Sequence, residues 1–386
     1  MRHRMTRTVR RRALAVSTAA LTATLVVAGA IAAPVGALGA ITEYDLGVGD
    51  VRASDIVVGP DGAMWFTELG ANRIGRITTA GSVSTFPIGA SGQPHSITVG
   101  ADGNLWFTYD AFVDKIGRAT PAGAIDLFDI PTPDGYPLGI TGAPDGALWF
   151  VESTGNQIGR IDPAAADPGA SITEYPLPTA DNFPTDITVG PDGLLWFTEQ
   201  TSDHIGRFAP ATPDPLATLV EFPVTAGSNP FAITTGPDGA LWTTLSGSQR
   251  VGRMTTAGVL TDQFDGAAAG GVLQGITTGP DGNLWVVAQV GNTIASLTVT
   301  GTLTVYPLPN AASDPTTPVA GPDGAIWFTE SNRIGRLDLT PNPTTTTTAA
   351  PTTTVPATVV PTTAPPTTVQ PSARAVAVKT TPAFTG

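Results

Sequence analysis

The sequence of 386 residues contains no cysteine. Disulfides, thiolate metal sites and cysteine nucleophiles are therefore excluded, and a folded domain must be stabilised by a large apolar core. Histidine is nearly as scarce, since the chain holds only His3, His95 and His204. Any proton transfer or metal binding that needs an imidazole is restricted to these three positions.

Basic residues are scarce outside the two ends of the chain. Of the 19 lysines and arginines, six lie before residue 13 and two after residue 370, and neither end segment contains an acidic residue. Residues 41–340 therefore carry 11 basic residues against all 32 acidic ones, a net charge of −21. Such a surface repels nucleic acid and anionic lipid. It favours solubility and neutral or cationic partners, although solubility alone is a sufficient explanation.

Residues 1–40 have the order of a secretory signal peptide, with six arginines followed by an apolar run from Ala13 to Ala33. Small residues up to Ala40 offer a cleavage site, and Ala32 offers another. Because the apolar run is long, a retained membrane anchor is the alternative interpretation. We predict cleavage, which gives a secreted or cell-surface protein that does not insert into the membrane.

Residues 341–386 predict a disordered stalk. Of these 46 residues, 16 are threonine and 9 are proline, and the apolar periodicity ends. Such a segment cannot bury enough apolar surface to offset the entropy of ordering it. Its threonines are candidate sites of O-glycosylation. The final Pro-Ala-Phe-Thr-Gly resembles a sortase-type signal without the apolar helix that normally follows, so wall anchoring is an alternative to a free stalk.

A unit containing one tryptophan recurs seven times between these ends, with 41 to 47 residues between successive tryptophans. Each unit contains four strand signals. The first is a short apolar run, the second is Leu-Trp-Phe-Thr-Glu, the third contains Ile-Gly-Arg, and the fourth resembles Ile-Thr-Glu-Tyr-Pro. A Pro-Asp-Gly turn separates the first two. This period is typical of a β-propeller. The tryptophans predict buried contacts between blades, and we expect the glycine and arginine of the third strand to serve the same interfaces. The seven tryptophans are Trp65, Trp106, Trp149, Trp196, Trp242, Trp285 and Trp327.

The two ends of the repeat region complement each other. The last repeat ends at Leu339 without a fourth strand, whereas an isolated copy of that strand occupies residues 41–46. We therefore predict an all-β fold, a monomeric seven-bladed β-propeller over residues 41–340 with four-stranded blades. The N-terminal strand completes the last blade and closes the ring, so no sheet edge is left unpaired at the seam.

Candidate site residues lie where the blade topology brings variable loops together. The loops between blades and those after each second strand share one face of the ring, which we call the mouth, and variable loops on a uniform scaffold commonly carry function. Here His95 is a candidate general base, and Glu152 is a candidate to assist it or to hold a metal. Tyr109, Tyr136 and Glu199 are candidate ligand contacts. The alternative is that His95 is bonded at a loop edge and that the glutamates cap contacts between blades.

The repeated sequence motif over about residues 41–340 resembles that of the virginiamycin B lyase (streptogramin lyase) family. The resemblance implies a seven-bladed propeller that linearises a cyclic depsipeptide by Mg²⁺-dependent elimination at its ester. It also implies that a histidine takes the proton α to the ester carbonyl, while the metal polarises that carbonyl and carboxylates assist.

The family's active members carry two histidines in adjacent blades, in Pro-His-Ala-Ile-Thr and Glu-Pro-His-Gly-Ile segments. Residues 94–98, Pro-His-Ser-Ile-Thr, match the first segment. In the next blade Tyr136 replaces the glutamate and Leu138 the second histidine, whereas Glu152 remains as the later carboxylate. If the blades are aligned by their order in the chain, the site falls instead on blades 6 and 7 and contains no histidine. Its residues are then Gln274, Asp314, Thr316 and Glu330.

These observations predict an exported module that binds a small molecule or peptide at the mouth and retains a degenerate lyase site. The alternative is a carbon–oxygen lyase that opens a streptogramin B-type ester, with His95 as base and Mg²⁺ as cofactor. An incomplete set of catalytic residues favours the first hypothesis, and the close match of the repeats favours the second.

Overall fold

The computed structural model describes residues 39–47, 49–110 and 113–340. Within them seven four-stranded antiparallel sheets form a ring, which confirms the predicted seven-bladed β-propeller. The predicted signal peptide and stalk lie outside the described residues, apart from Gly39 and Ala40. None of the helices in these ranges is long and apolar enough to cross a membrane.

Each blade places its first strand along the central channel and its fourth strand at the rim, except that blade 7 takes its fourth strand from β1 (Ile41–Asp45). Blades 1 and 2 comprise β2 (Ala53–Val58), β3 (Met64–Glu68), β4 (Arg73–Ile77), β5 (Val83–Pro87), β6 (Gln93–Val99), β7 (Leu105–Asp110), β8 (Lys115–Ala119) and β9 (Ile125–Asp129). Blades 3 and 4 comprise β10 (Pro137–Gly142), β11 (Leu148–Glu152), β12 (Gln157–Ile161), β13 (Thr173–Pro176), β14 (Pro184–Val189), β15 (Leu195–Glu199), β16 (His204–Phe208) and β17 (Val220–Pro223). Blades 5 and 6 comprise β18 (Pro230–Thr235), β19 (Leu241–Leu245), β20 (Arg250–Met254), β21 (Leu260–Asp265), β22 (Leu273–Thr278), β23 (Leu284–Ala288), β24 (Thr293–Leu297) and β25 (Leu303–Pro307). Blade 7 adds β26 (Pro318–Ala320), β27 (Ile326–Glu330) and β28 (Arg333–Leu337).

The ring is closed by pairing between the two ends of the repeat region. Strand β1 runs antiparallel to β28, with Ile41 opposite Leu337 and Asp45 opposite Arg333. Tyr44 of β1 stacks on Trp327 at 5.7 Å between ring centroids. This arrangement confirms the predicted completion of the last blade by the N-terminal strand.

The tryptophans form the core, as the repeat predicts. All seven are fully buried on the second strands. In blade 1 the Trp65 Nε1–H donates to Asp61 in the Pro-Asp-Gly turn (2.9 Å), and the indole stacks on Phe86 of the fourth strand at 5.4 Å between centroids. An indole in this position buries about 150–250 Å², so each blade adds a large apolar contribution to stability.

The third-strand glycine and arginine act mainly within a blade, which corrects the expectation that they serve the interfaces between blades; Arg207 of blade 4 is an exception, because it donates to the carbonyl of Thr256 in blade 5 (2.6 Å). A Cβ on Gly75 would lie 2.1 Å from the ring of Phe66 in the same blade, so the glycine leaves room for that ring. The guanidinium of Arg76 contacts Asp61 at 2.6 Å, again in its own blade, and lies over Trp65. The order of residues along the third strand did not reveal which face of the sheet each side chain occupies.

Candidate functional site

The first strands of the blades surround a cavity of about 230 Å³ at the mouth. Its lining comes from the residues that precede the isoleucine of each apolar run, because these positions begin the first strands. Both polar and apolar side chains contribute to it. Its lining includes Ser54, Asp55, His95, Leu138, Asp186 and Phe231.

A local irregularity in the sheet fixes the backbone at His95. The ladder between β6 and β7 is interrupted there. The amide of Ser96 therefore donates to the hydroxyl of Thr108 (3.0 Å), and the carbonyl of His95 accepts from the hydroxyl of Thr67 in blade 1 (2.7 Å). Irregularities of this kind commonly redirect a side chain at a site. Here the buried threonines of the second strands satisfy the backbone groups that the ladder leaves unpaired.

His95 lies mostly inside the protein, with 14% of its side chain exposed. Its ring meets the edge of Tyr136 at 5.5 Å between centroids, and its Nε2 lies 4.0 Å from a carboxylate oxygen of Asp110. Within the described part of the chain, Nε2 has no hydrogen-bond partner. Burial lowers the pKa of His95 to about 4, with a smaller contribution from the charge of Arg52. At neutral pH the imidazole is therefore uncharged.

Two aspartates extend the polar lining into the channel. Asp55 accepts hydrogen bonds from the hydroxyl of Ser96 (2.7 Å) and the amide of Ile97 (2.9 Å), both in the next blade. Asp186 likewise accepts from the amide of Ile233 (2.8 Å). Although each side chain keeps some surface toward the channel, protein surrounds it, and burial raises both pKa values, that of Asp186 to about 7. Neither residue was predicted from the sequence. Each is an acidic residue directly before the isoleucine of a first strand, and that position is the signal that could have identified it.

Of the sequence-predicted site residues, His95 lines this cavity and Tyr136 contacts the His95 ring from outside the lining, whereas Tyr109, Glu152 and Glu199 lie away from it. Tyr109 is fully buried, and its hydroxyl donates to Asn72 Oδ1 (2.9 Å) and the carbonyl of Ala90 (2.7 Å). The structure therefore gives the Tyr109 side chain a packing role between blades 1 and 2.

Glu152 and Glu199 end second strands and are fully buried. Both carboxylate oxygens of Glu152 lack a hydrogen-bond partner among the described residues. Burial raises the pKa of Glu152 to about 8, and the charges of Glu174 and Asp114 add to the effect. Burial likewise raises the pKa of Glu199 to about 8, together with Glu221. Neither residue lines the cavity that contains His95.

A second cavity of about 200 Å³ adjoins the first, since Ser54 lines both. Arg52 and Asp314 contribute opposite charges to it, and both are held at positive φ, 44° and 46°. This is the place that an alignment in chain order assigns to the family site. Of those residues, Thr316 and Asp314 line the cavity, whereas Gln274 donates to Gln289 (3.2 Å) and Glu330 is fully buried.

The resemblance implies a Mg²⁺ site, and the residues present do not fit one. In the described ranges no three histidine, aspartate or glutamate side chains form a group that could hold a metal ion. Mg²⁺ requires a near-octahedral set of oxygen ligands. The carboxylate that approaches His95 is that of Asp110. Glu152 is fully buried and does not line the cavity.

Sequence comparisons agree with this fold. The profile of the virginiamycin B lyase family matches residues 17–212 and 164–362. A virginiamycin B lyase of Nocardia farcinica is 32% identical over 102 residues, which are 26% of this chain and 35% of that protein. The virginiamycin B lyase of Bordetella bronchiseptica is 43% identical over 61 residues, 16% of this chain and 20% of that protein. The chain thus spans about a third or less of the length of these curated relatives.

Solved structures match over a longer range. A streptogramin B lyase shares 31% identity with a TM-score of 0.71, covering 78% of this chain and 97% of that chain. Virginiamycin B lyase from Staphylococcus aureus shares 34% identity with a TM-score of 0.71, covering 78% of this chain and 99% of that chain. A catalytically inactive histidine-to-alanine variant of the same enzyme has been solved with quinupristin, at the same similarity and coverage. The family profile, the fold and the repeated sequence motif together place the chain in the virginiamycin B lyase family.

Proposed function

We propose that this protein is an exported binding module that holds a small molecule or peptide at the mouth, around His95 and Tyr136. The observation that carries the proposal is the cavity of about 230 Å³, which is lined in part by the mostly buried ring of His95. Concave sites that combine apolar walls with a few polar groups are the usual places for small ligands. A ligand group in this cavity would pack against the His95 ring.

The cavity's composition indicates the ligand's chemistry. Leu138 and Phe231 give it apolar walls, and Asp55 and Asp186 give it acidic ones. Ligand pockets commonly combine apolar walls with a few placed polar groups. The two acidic side chains offer no positive charge to an anion, so the group that enters is neutral or cationic.

The cavity's size indicates that only part of the ligand enters it. Ligand pockets commonly measure about 300–1,000 Å³, and this cavity is smaller. One ring or side chain fills it, and the remainder extends over the mouth toward the adjoining cavity at Arg52 and Asp314. A cyclic peptide of the streptogramin class would have to lie on the mouth rather than inside the channel.

The structural match supports loss of the family's chemistry. A superposition shifted by one blade would leave about one blade in seven of each chain unmatched, yet 97–99% of the lyase chains is covered. This favours matching blades in chain order. In that order the two positions of the family's histidines carry Gln274 and Thr316, neither of which can take a proton from carbon at neutral pH.

Elimination with His95 as base is the alternative function. In favour of it, the imidazole is uncharged at neutral pH and could remove a proton α to an ester carbonyl while the ester C–O bond breaks. Against it, a base whose conjugate acid has a pKa of about 4 has little driving force for accepting a proton from carbon. We therefore expect binding without turnover.

Incubation with quinupristin separates the two functions. We expect the antibiotic to keep its mass and its ring after incubation with the full chain, with or without added Mg²⁺, as followed by mass spectrometry and chromatography. The Staphylococcus aureus enzyme serves as the active control. A linear product of unchanged mass would instead show elimination and contradict the proposal.

Binding is tested by thermal shift over a panel of neutral and cationic cyclic peptides and aromatic amines. A ligand of the mouth is expected to raise the Tm of the wild type and to bind the His95→Ala variant about tenfold or more weakly, because removal of the imidazole leaves a void in the cavity wall. His204→Ala is the matched control, since His204 does not line the cavity. Ligands that bind His95→Ala as tightly as the wild type would place the site elsewhere.

A further inference from the structure

A pair of carboxyl groups in blade 4 holds the loop that leads into that blade. Glu199 ends β15 and is fully buried, and Glu221 lies on β17. The Nδ2 group of Asn182 donates to an oxygen of Glu199 at 2.9 Å and to an oxygen of Glu221 at 3.4 Å. The hydroxyl of Thr179 donates to the other oxygen of Glu221 at 2.8 Å. We call residues 179–183 the lead-in loop.

The lead-in loop connects this pair to the mouth. It continues directly into β14, whose Thr185 and Asp186 line the cavity that contains His95. Asp181 and Phe183 both have positive φ, 58° and 50°. Such conformations are unfavourable for a bulky side chain and persist only where the surroundings enforce them. The carboxyl pair is one of the contacts that hold this shape, beside the backbone bonds from Gln200 and Thr201 to the loop.

The surroundings of Glu199 supply no fixed positive charge. The titratable groups that face it are Glu221 on β17 and His204, its cross-strand partner on β16. His204 Nδ1 lies 2.7 Å from the carbonyl of Ser202, and blade 3 contributes the neutral Asn156 beside the loop. In the described residues no lysine or arginine pairs with Glu199 or Glu221.

Blade 1 provides the contrasting arrangement. There Glu68 occupies the position of Glu199, and Arg73, at the position of His204, forms an ion pair with it. Without such an arginine, two neighbouring carboxyl groups cannot both ionise at low cost, so they share one proton. Burial and the neighbouring Glu221 raise the pKa of Glu199 to about 8, in agreement with this geometry.

We propose that the Glu199–Glu221 pair is a proton-dependent clamp on the mouth, which holds the lead-in loop in place while it carries a proton and releases it when that proton is lost. With one proton the pair carries one negative charge, and the Asn182 amide bridges its two members. A second charge in this dry site repels the first and requires water, which enters only if the loop moves. The proposal is independent of the ligand and of His95.

The direction of the pH dependence follows from the raised pKa. The closed loop binds a proton that the open loop, where Glu199 is hydrated, gives up near its ordinary pKa of about 4.5. Closure is therefore most favourable at acidic pH, weakens by about tenfold per pH unit between roughly 5 and 8, and levels off above 8.

The first test is a carboxyl ¹³C NMR titration of the full chain labelled in glutamate. We expect a resonance that is missing from Glu199→Gln to titrate near pH 8. The titration itself is recorded on the wild type. Glu221→Gln provides a second, independent assignment, because it should shift the same resonance. A midpoint below pH 6 for Glu199 overturns the proposal.

The second test is hydrogen exchange at matched amides. The amides of Gln200 and Thr201 donate to carbonyls of the lead-in loop, and those of Leu69 and Gly70 make the same bonds in blade 1. After correction for intrinsic exchange, protection at Gln200 and Thr201 is expected to fall about 100-fold between pH 6 and 8. Burial raises the pKa of Glu68 too, although Arg73 opposes the rise, so protection at Leu69 and Gly70 should fall less. A flat profile at blade 4, or the same fall in Glu199→Gln, overturns the proposal.

Discussion

A variant that begins at Leu46, and so lacks β1, is expected to lose on the order of 5 kcal/mol in the free energy of unfolding. Strand β1 pairs with β28 over five residue pairs, and each hydrogen bond lost contributes about 1 kcal/mol. The stacking of Tyr44 on Trp327 is lost as well. The exposed edge of β28 should also promote association. Urea unfolding and light scattering measure both effects.

A peptide added in trans provides the control for this truncation. A peptide spanning residues 39–47 should restore the Tm in a saturable manner by re-forming the β1–β28 ladder. The same peptide with Tyr44→Ala should restore less, because it cannot stack on Trp327. If the truncated variant melted within about 2 °C of the parent, less than 1 kcal/mol would depend on β1, and closure by this strand would be refuted.

The Glu152→Gln variant is expected to be less stable than the wild type at pH 5.5 and more stable at pH 8.5. At acidic pH Glu152 is protonated, and a buried glutamine adds an unsatisfied donor, which costs about 1–3 kcal/mol. As pH rises toward the raised pKa of about 8, the wild type loses about 1.4 kcal/mol per pH unit, because the unfolded chain releases a proton that the folded protein retains. The variant lacks this loss. Denaturant unfolding across the pH range measures the crossing.

Glu68→Gln is the matched control for Glu152→Gln, because Glu68 has the same place in blade 1 and is paired with Arg73. Its replacement leaves Arg73 without its partner and should destabilise the protein at pH 5.5 and at pH 8.5. If the stability curves of Glu152→Gln and the wild type ran parallel, Glu152 would not carry the extra proton.

The fold could be predicted from the sequence because each repeat reports the same buried contacts. The tryptophan on the second strand of each blade identifies that strand, its direction and the interface that it packs in. Seven copies of the pattern make the prediction robust to variation in any one repeat. The displaced strand at residues 41–46 then fixes the closure. None of these inferences depends on where a particular polar side chain points.

The candidate site was less predictable, because it depends on the direction in which individual polar side chains point. Tyr109, Glu152 and Glu199 were expected at the mouth because they end second strands. In a blade, however, both faces of the sheet pack against neighbouring blades, so the ends of second strands lie inside an interface. The channel is bordered by the beginnings of the first strands. Asp55 and Asp186 therefore belong to the lining, although only the position before each isoleucine marks them in the sequence.

The closing ladder also determines how the propeller should respond to mechanical force. Ile41 lies opposite Leu337, and Gly39 approaches Asp338, so the N-terminal end of β1 and the C-terminal end of β28 lie side by side. Tension applied between these two points breaks the ladder one hydrogen bond after another instead of shearing all of them at once. Such unzipping proceeds at low force. We therefore expect blade 7 to open first under tension, while six blades retain all four strands.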